Sequence, residues 1–117
     1  MTGAEMIAAE RERQTSKLGW TAGHDDQHDN GELALAAVCY ATPVPLYERK
    51  ERAASVAFMD PWPWEQWEDH RAYGAVANHI LTDPNSLPSE RRIKDLVRAG
   101  ALIAAEIDRL IRKSERR

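Results

Sequence analysis

The stretch SERRIKDLVRAGALIAAEIDRLIRK, residues 89–113, decides the fold class. Ile93, Leu96, Val97, Gly100, Ile103, Ala104, Ile107, Leu110 and Ile111 recur at the spacing of one continuous helical face, and Ser89 behind Pro88 suits an N-cap. A long amphipathic C-terminal helix from about Ser89 to Lys113 is therefore expected. Gly100 in its middle costs about 1 kcal/mol against alanine, which points either to a tolerated imperfection or to close approach of a neighbouring helix. Leu102, opposite the main stripe, makes a second apolar patch, so self-association into a homo-oligomer is expected.

At the other end, Thr2 and Glu5 have capping-box spacing and predict a first helix to about Lys17, ended by Gly19. Its stripe of Ile7, Arg11, Gln14 and Leu18, with Met6 and Glu10 alongside, puts polar groups on the face that should point inward. The segment between Gly19 and Gly31 is rich in turn formers and reads as a polar loop. Asp29 and Glu32 repeat the capping spacing, and a short helix apolar on nearly every side follows to Ala41, where Pro43 and Pro45 stop it. Residues Leu46 to Met59 are expected to form another short, largely solvated helix. The segment from Asp60 to Trp67 is extended by its prolines, a short helix spans 72–81, and a turn-rich linker spans 82–88. The fold class expected is all-α, a single helical domain over 1–117: a small bundle with a long C-terminal helix and a polar loop between its first two helices.

A chain of 117 residues, 43% hydrophobic, can build one core without staples. The lone Cys39 cannot form an internal bridge and reads as a buried reduced thiol, which favours the cytoplasm. The N-terminus has neither the apolar stretch of a signal peptide nor the length of a membrane span. A net charge of −3 gives no general attraction to nucleic acid, and the basic tail from Arg109 onward is explained by the helix dipole.

His24, Asp25, Asp26, His28 and Asp29 concentrate the groups from which metal sites and acid–base machinery are made, although capping and solvation also use them in such a loop. No Cys pair is present for a closed zinc site. Of the four tryptophans, Trp62, Trp64 and Trp67 fall close together, and an indole offers a stacking face plus one N–H. For Trp20, Trp62 and Trp64 a pocket wall stands beside simple packing as the reading; for Trp67, packing leads. Glu10, Arg13 and Gln14 near Trp20 form an acceptor, a cation and an amide suited to a phosphate or base edge, or else a set of intrahelical pairs. A nucleophile elbow, a phosphate-binding glycine loop and a dinucleotide fingerprint are absent from the sequence.

The series Glu10-Arg-Glu-Arg-Gln14, Gly19-Trp20-Thr21, His24-Asp25-Asp26-Gln-His28, Gly31-Glu32-Leu33-Ala34, Ala36-Ala37, Tyr40-Ala41, Trp62-Pro63-Trp64 and Arg92 to Leu102 resembles a widespread family of uncharacterised phage and prophage proteins. The resemblance covers both ends of the chain and implies a viral setting. A more distant likeness is to MazG-like all-α nucleotide pyrophosphohydrolases, which bind magnesium through carboxylates on facing helices. Here Leu35 and Ala36 follow Glu32 where a second carboxylate is expected, and the last helix has no Glu-x-x-Asp. Glu48 with Glu51, and Glu65 with Glu68, have the spacing. Gly19-Trp20-Thr21 is similar to a pattern of ryanodine-receptor-type repeat domains, which are small helical binding modules.

Together these readings give a leading expectation: non-catalytic binding of a nucleotide or nucleotide-derived signal by a phage accessory protein in the host cytoplasm, serving counter-defence. Glu10, Arg13 and Gln14 would contact phosphate or base, Trp20, Trp62 and Trp64 would stack, and His24, Asp25 and His28 would shape the polar end. One alternative is a divergent magnesium-dependent nucleoside triphosphate pyrophosphohydrolase, with Asp25, Asp26 and Glu32 holding the metal. Another is an antagonist that occludes a host protein through its tryptophans.

Overall fold

Thr2 opens the first helix as its spacing predicts: its hydroxyl accepts from the Glu5 N–H at 3.2 Å while the Glu5 carboxylate takes the Thr2 N–H at 2.9 Å. The computed structural model describes residues 1–44, 46–65, 68, 70–71 and 87–116. Within them run α1 (Gly3–Ser16), α2 (Ala22–Asp26), α3 (Glu32–Ala41), β1 (Glu48–Arg52), β2 (Ser55–Met59) and α4 (Ser89–Glu115). The expected helix over 72–81, the linker residues 82–86 and Trp67 lie outside the described residues.

The all-α expectation is corrected by β1 and β2, which pair antiparallel with Glu48 opposite Met59 and Arg52 opposite Ser55, leaving Ala53 and Ala54 to turn the chain. The Glu-Arg-Lys-Glu-Arg run reads in sequence as the solvated part of a short helix. In the structure Arg49 instead bridges to Glu51, and Lys50 to Glu48, two residues along a strand face. Val56 and Phe58, β-branched and aromatic, suit a pleated ribbon. Both strands are largely exposed, so the ribbon stands off the helical body.

The polar loop is likewise shorter than its composition suggests. Thr21 caps a single turn, accepting the His24 N–H at 3.4 Å, and this turn is α2. At α3 the cap is Gly31, in the left-handed region at φ +80°, rather than Asp29; the Glu32 carboxylate instead accepts the Asn30 N–H at 2.6 Å.

α3 packs along α4, and α1 and α2 rest against α4 as well. The core consists of Leu33, Ala36, Ala37, Cys39 and Tyr40 from α3 against Ala99, Ala101, Leu102 and Ala105 from α4. Alanines on both sides let the two backbones approach closely. Gly100 gives α1 the same access, since a Cβ there would lie 2.5 Å from Ile7 Cδ1.

The orientation of α4 reverses the simplest reading of its pattern. The side that carries Leu102 makes the core, together with buried Asp95 and Arg109, whereas Ile93, Leu96, Ile103, Ile107, Leu110 and Ile111 are each between 46% and 52% exposed. Polar residues on the inward side hold the helix in place. Arg92 donates to the carbonyls of Ala41 at 2.8 Å and Thr42 at 3.3 Å, closing the C-terminus of α3. Arg112 and Arg116 grip Asp26 at 2.8 and 2.6 Å, so the basic tail anchors α2 rather than only complementing a dipole. Among the described residues, no helix is long and apolar enough to cross a membrane.

Candidate functional site

Helical spacing on α1 brings Glu10, Arg13 and Gln14 together. Arg13 meets Glu10 in a two-pronged pair, Nε to Oε1 at 2.7 Å and an NH2 nitrogen to Oε2 at 2.9 Å, and Gln14 Nε2 donates to Oε2 at 3.2 Å. The Arg13 guanidinium holds the Glu10 carboxyl below its ordinary range, overcoming the opposing effect of burial, with Gln14 and the charge of Arg98 adding to it. Gln14 is 2% exposed, and its Oε1 has no hydrogen-bond partner.

After α1 the chain reverses at Gly19, at φ +71°, and the Trp20 N–H returns to the Gln14 carbonyl at 2.9 Å. That bond fixes Trp20 at the start of a row of rings. Trp20 stacks on His24, with centroids 5.5 Å apart and planes 6° apart, and His24 meets His28 edge-on at 5.2 Å. His28 lies 5.2 Å from Trp64, Trp64 lies 5.6 Å from Trp62, and Trp62 meets Tyr40 at 5.5 Å. Alternate prolines hold the Trp62–Trp64 segment extended, so the two indoles are displayed without a helix beneath them.

Each histidine is oriented by a carboxylate through Nδ1. Asp25 lies 3.0 Å from His24 and Glu32 lies 3.2 Å from His28. Asp25 is wholly buried, and Arg11 donates to its other oxygen at 2.9 Å. Burial pushes the Glu32 carboxyl up, but the N–H groups of Asn30 and Glu32 and the His28 ring together hold it below its ordinary value.

These groups line an open cavity of about 860 Å³, walled by Gln14, Trp20, His24, His28, Trp62 and Trp64, with Glu10, Arg13 and Arg98 beside them and the core residues Leu33, Tyr40 and Leu102 beneath. Such a volume falls in the range of small-molecule sites. The N-terminal polar groups and the clustered indoles thus converge on one space. Asp25 alone of the nine residues expected at a ligand stands behind the wall, where it positions His24. A second buried atom without a partner, Trp64 Nε1, sits on the same wall.

The carboxylates singled out for a metal do not converge. Asp25 is engaged by Arg11 and His24, Asp26 by Arg112 and Arg116, and Glu32 by Asn30 and His28. Among the described residues, no three His, Cys, Asp or Glu side chains gather as a metal site. Glu48 and Glu51 stand on the hairpin rather than on a helix, and Glu68 borders the cavity.

The site expected from the sequence did not include Tyr40, His70 or Arg98. Arg98 lies over the Tyr40 ring at 5.9 Å and donates to the His70 carbonyl at 3.2 Å, while the His70 N–H donates to the Tyr40 hydroxyl at 3.3 Å. The signal that would have found Arg98 is a polar stripe of Asp95, Arg98 and Arg109 opposite the apolar one. Once that stripe is taken as inward, its arginine must have something to face. In comparisons with known proteins, the chain matches no protein family, no curated protein and no solved structure.

Proposed function

We propose that the protein is a non-catalytic binder whose cavity takes a nucleotide or nucleotide-derived signal. The observation that carries this reading is the pair of buried, unpartnered polar atoms, Gln14 Oε1 and Trp64 Nε1, on the wall of an aromatic cavity. A buried polar atom left unpaired costs about 1–3 kcal/mol, a cost that a ligand removes by supplying a donor to one and an acceptor to the other. The edge of a nucleobase carries both kinds of group, and its flat face suits the indoles, where stacking contributes about 1–3 kcal/mol per base. Arg98 supplies a guanidinium beside the cavity for a phosphate, and Arg13, paired there with Glu10, can offer a second in exchange for that carboxylate.

The bound molecule would be a small one, since the space is of small-molecule size. The cytoplasm of an infected host, where the buried Cys39 thiol stays reduced, is the setting we assign it, and capture of a defence signal is the purpose. Both rest on the resemblance to phage and prophage proteins. Isothermal titration against mono-, di- and cyclic nucleotides tests the reading. Binding that weakens about tenfold in Gln14→Met and in Trp64→Phe supports it, and the absence of heat with every nucleotide removes it.

A further inference from the structure

The β1–β2 hairpin has little of its own chain to rest on. It packs strand against strand rather than broadly against a helix, and among the described residues neither strand pairs with a third. Two strands of five residues are marginal in water by themselves, and such a ribbon becomes stable when a further strand or a helix is added. Its two free edges differ. β1 carries Glu48, Arg49, Lys50, Glu51 and Arg52, a charged strand of the kind that discourages pairing, whereas β2 reads Ser55-Val-Ala-Phe-Met59, with no charge and no proline. The outer edge of β2 is therefore a template for one more strand.

We propose that a second copy of the chain supplies that strand, its β2 running antiparallel to the first about a two-fold axis at Ala57, so that two hairpins make one continuous sheet. In that register Val56 lies opposite the second copy's Phe58 on each side of the axis, Ser55 lies opposite its Met59, and Ala57 faces its own counterpart. Val56 and Phe58 alternate and so share one face of the ribbon, where both are exposed. The pairing gathers them from both copies into one cluster, β-branched against aromatic. The same axis serves whichever β2 amides point outward, because residues 55, 57 and 59 map onto one another and so do 56 and 58. Ala53 and Ala54, both small, form the tip that each hairpin brings to the base of the other. The charged edge matches itself less well, since β1 paired with its own copy about Lys50 sets two lysines face to face. β2 also gives a foreign strand no charge pattern to read, whereas its sequence is complementary to itself. One short strand per copy makes an interface at the low end of specific contacts, so the dimer belongs to high concentration and the dilute chain is monomeric.

Neither strand lines the cavity, so nucleotide titration tests the binding site separately. The pairing is tested by sedimentation equilibrium of the full chain from micromolar to millimolar concentration at low salt. The mean mass should rise from 13.2 kDa towards twice that value. The double variant Val56→Lys with Phe58→Lys sets like charges against each other on both sides of the axis and should hold the mass at 13.2 kDa throughout. Val56→Lys with Phe58→Glu sets opposite charges against each other in the same register and should restore the rise. Within one hairpin these two changes face Glu51 and Arg49, again with opposite charge, so the ribbon itself is kept. A wild-type chain that stays at 13.2 kDa over the whole range overturns the proposal. So does association that survives the double-lysine variant, or that does not return in the lysine–glutamate variant.

Discussion

Asp25 shows how one residue can matter to the site without touching its space. Its carboxylate is wholly buried between Arg11 and the His24 ring. Asp25→Ala should therefore destabilise the fold by about 3 kcal/mol, because it leaves a guanidinium partly buried without its counter-charge. Asp25→Asn keeps an acceptor and should cost less; urea denaturation of the two variants checks the order. Acid should act through Glu10 and Asp26. Glu10 is held below its ordinary 4.5 chiefly by Arg13, and Asp26 below 3.8 by Arg112 and then Arg116. A lowered folded-state pKa gives stability that is complete above the unfolded value and is lost as pH falls through the folded one. Denaturation midpoints should thus be flat through neutral pH and fall below about pH 4.5, with a shallower acid limb in Glu10→Gln. At this scale the sequence was readable where spacing on one helix decides proximity, as for Glu10, Arg13 and Gln14. It was not readable for Asp25, because density of charge in a segment does not say which carboxylate will be sealed behind a histidine.

Elements bring in a different kind of ambiguity. The pattern of α4 announces an amphipathic helix but not which side its own chain will cover, and the inward side was chosen by small residues and by arginines with partners to meet. Gly100 belongs to that choice. Gly100→Ala should gain about 1 kcal/mol of helix propensity. It should lose about 1–3 kcal/mol by driving a methyl into Ile7, since Cγ1 as well as Cδ1 lies within 3 Å of the new Cβ. A net destabilisation of about 1 kcal/mol is expected in chemical denaturation. The hairpin misled for the converse reason. Residues 48–59 have a composition that suits either form locally: Ala53, Ala54, Ala57 and Phe58 fall at helical spacing, while Val56 and Phe58 also suit a strand. Because Phe58 is 65% exposed, Phe58→Ser should change stability by no more than about 0.5 kcal/mol.

For the whole molecule, the arrangement is one in which stability and binding can be separated. α1, α2 and the Trp62–Trp64 segment close over the α3–α4 core and leave a space with unpaired polar atoms on its wall, at a cost that the unliganded fold carries. Trp64→Phe removes the unpaired indole N–H while keeping a ring for stacking, so the unliganded protein should be no less stable than wild type once the smaller ring is accommodated. Its affinity for the ligand should nevertheless fall about tenfold, the worth of one hydrogen bond that only the complex makes. A ligand present at a hundred times its dissociation constant should raise wild-type stability by about 2.7 kcal/mol, and at the same concentration should raise Trp64→Phe by roughly half as much. Thermal denaturation of both proteins with and without nucleotide gives the four values required. Opposite movements, with unliganded stability kept and ligand stabilisation reduced, mark a group retained for recognition. A parallel fall in both would show that the Trp64 N–H serves packing, and the cavity would then lose one of the two polar atoms on which its assignment to a nucleobase depends.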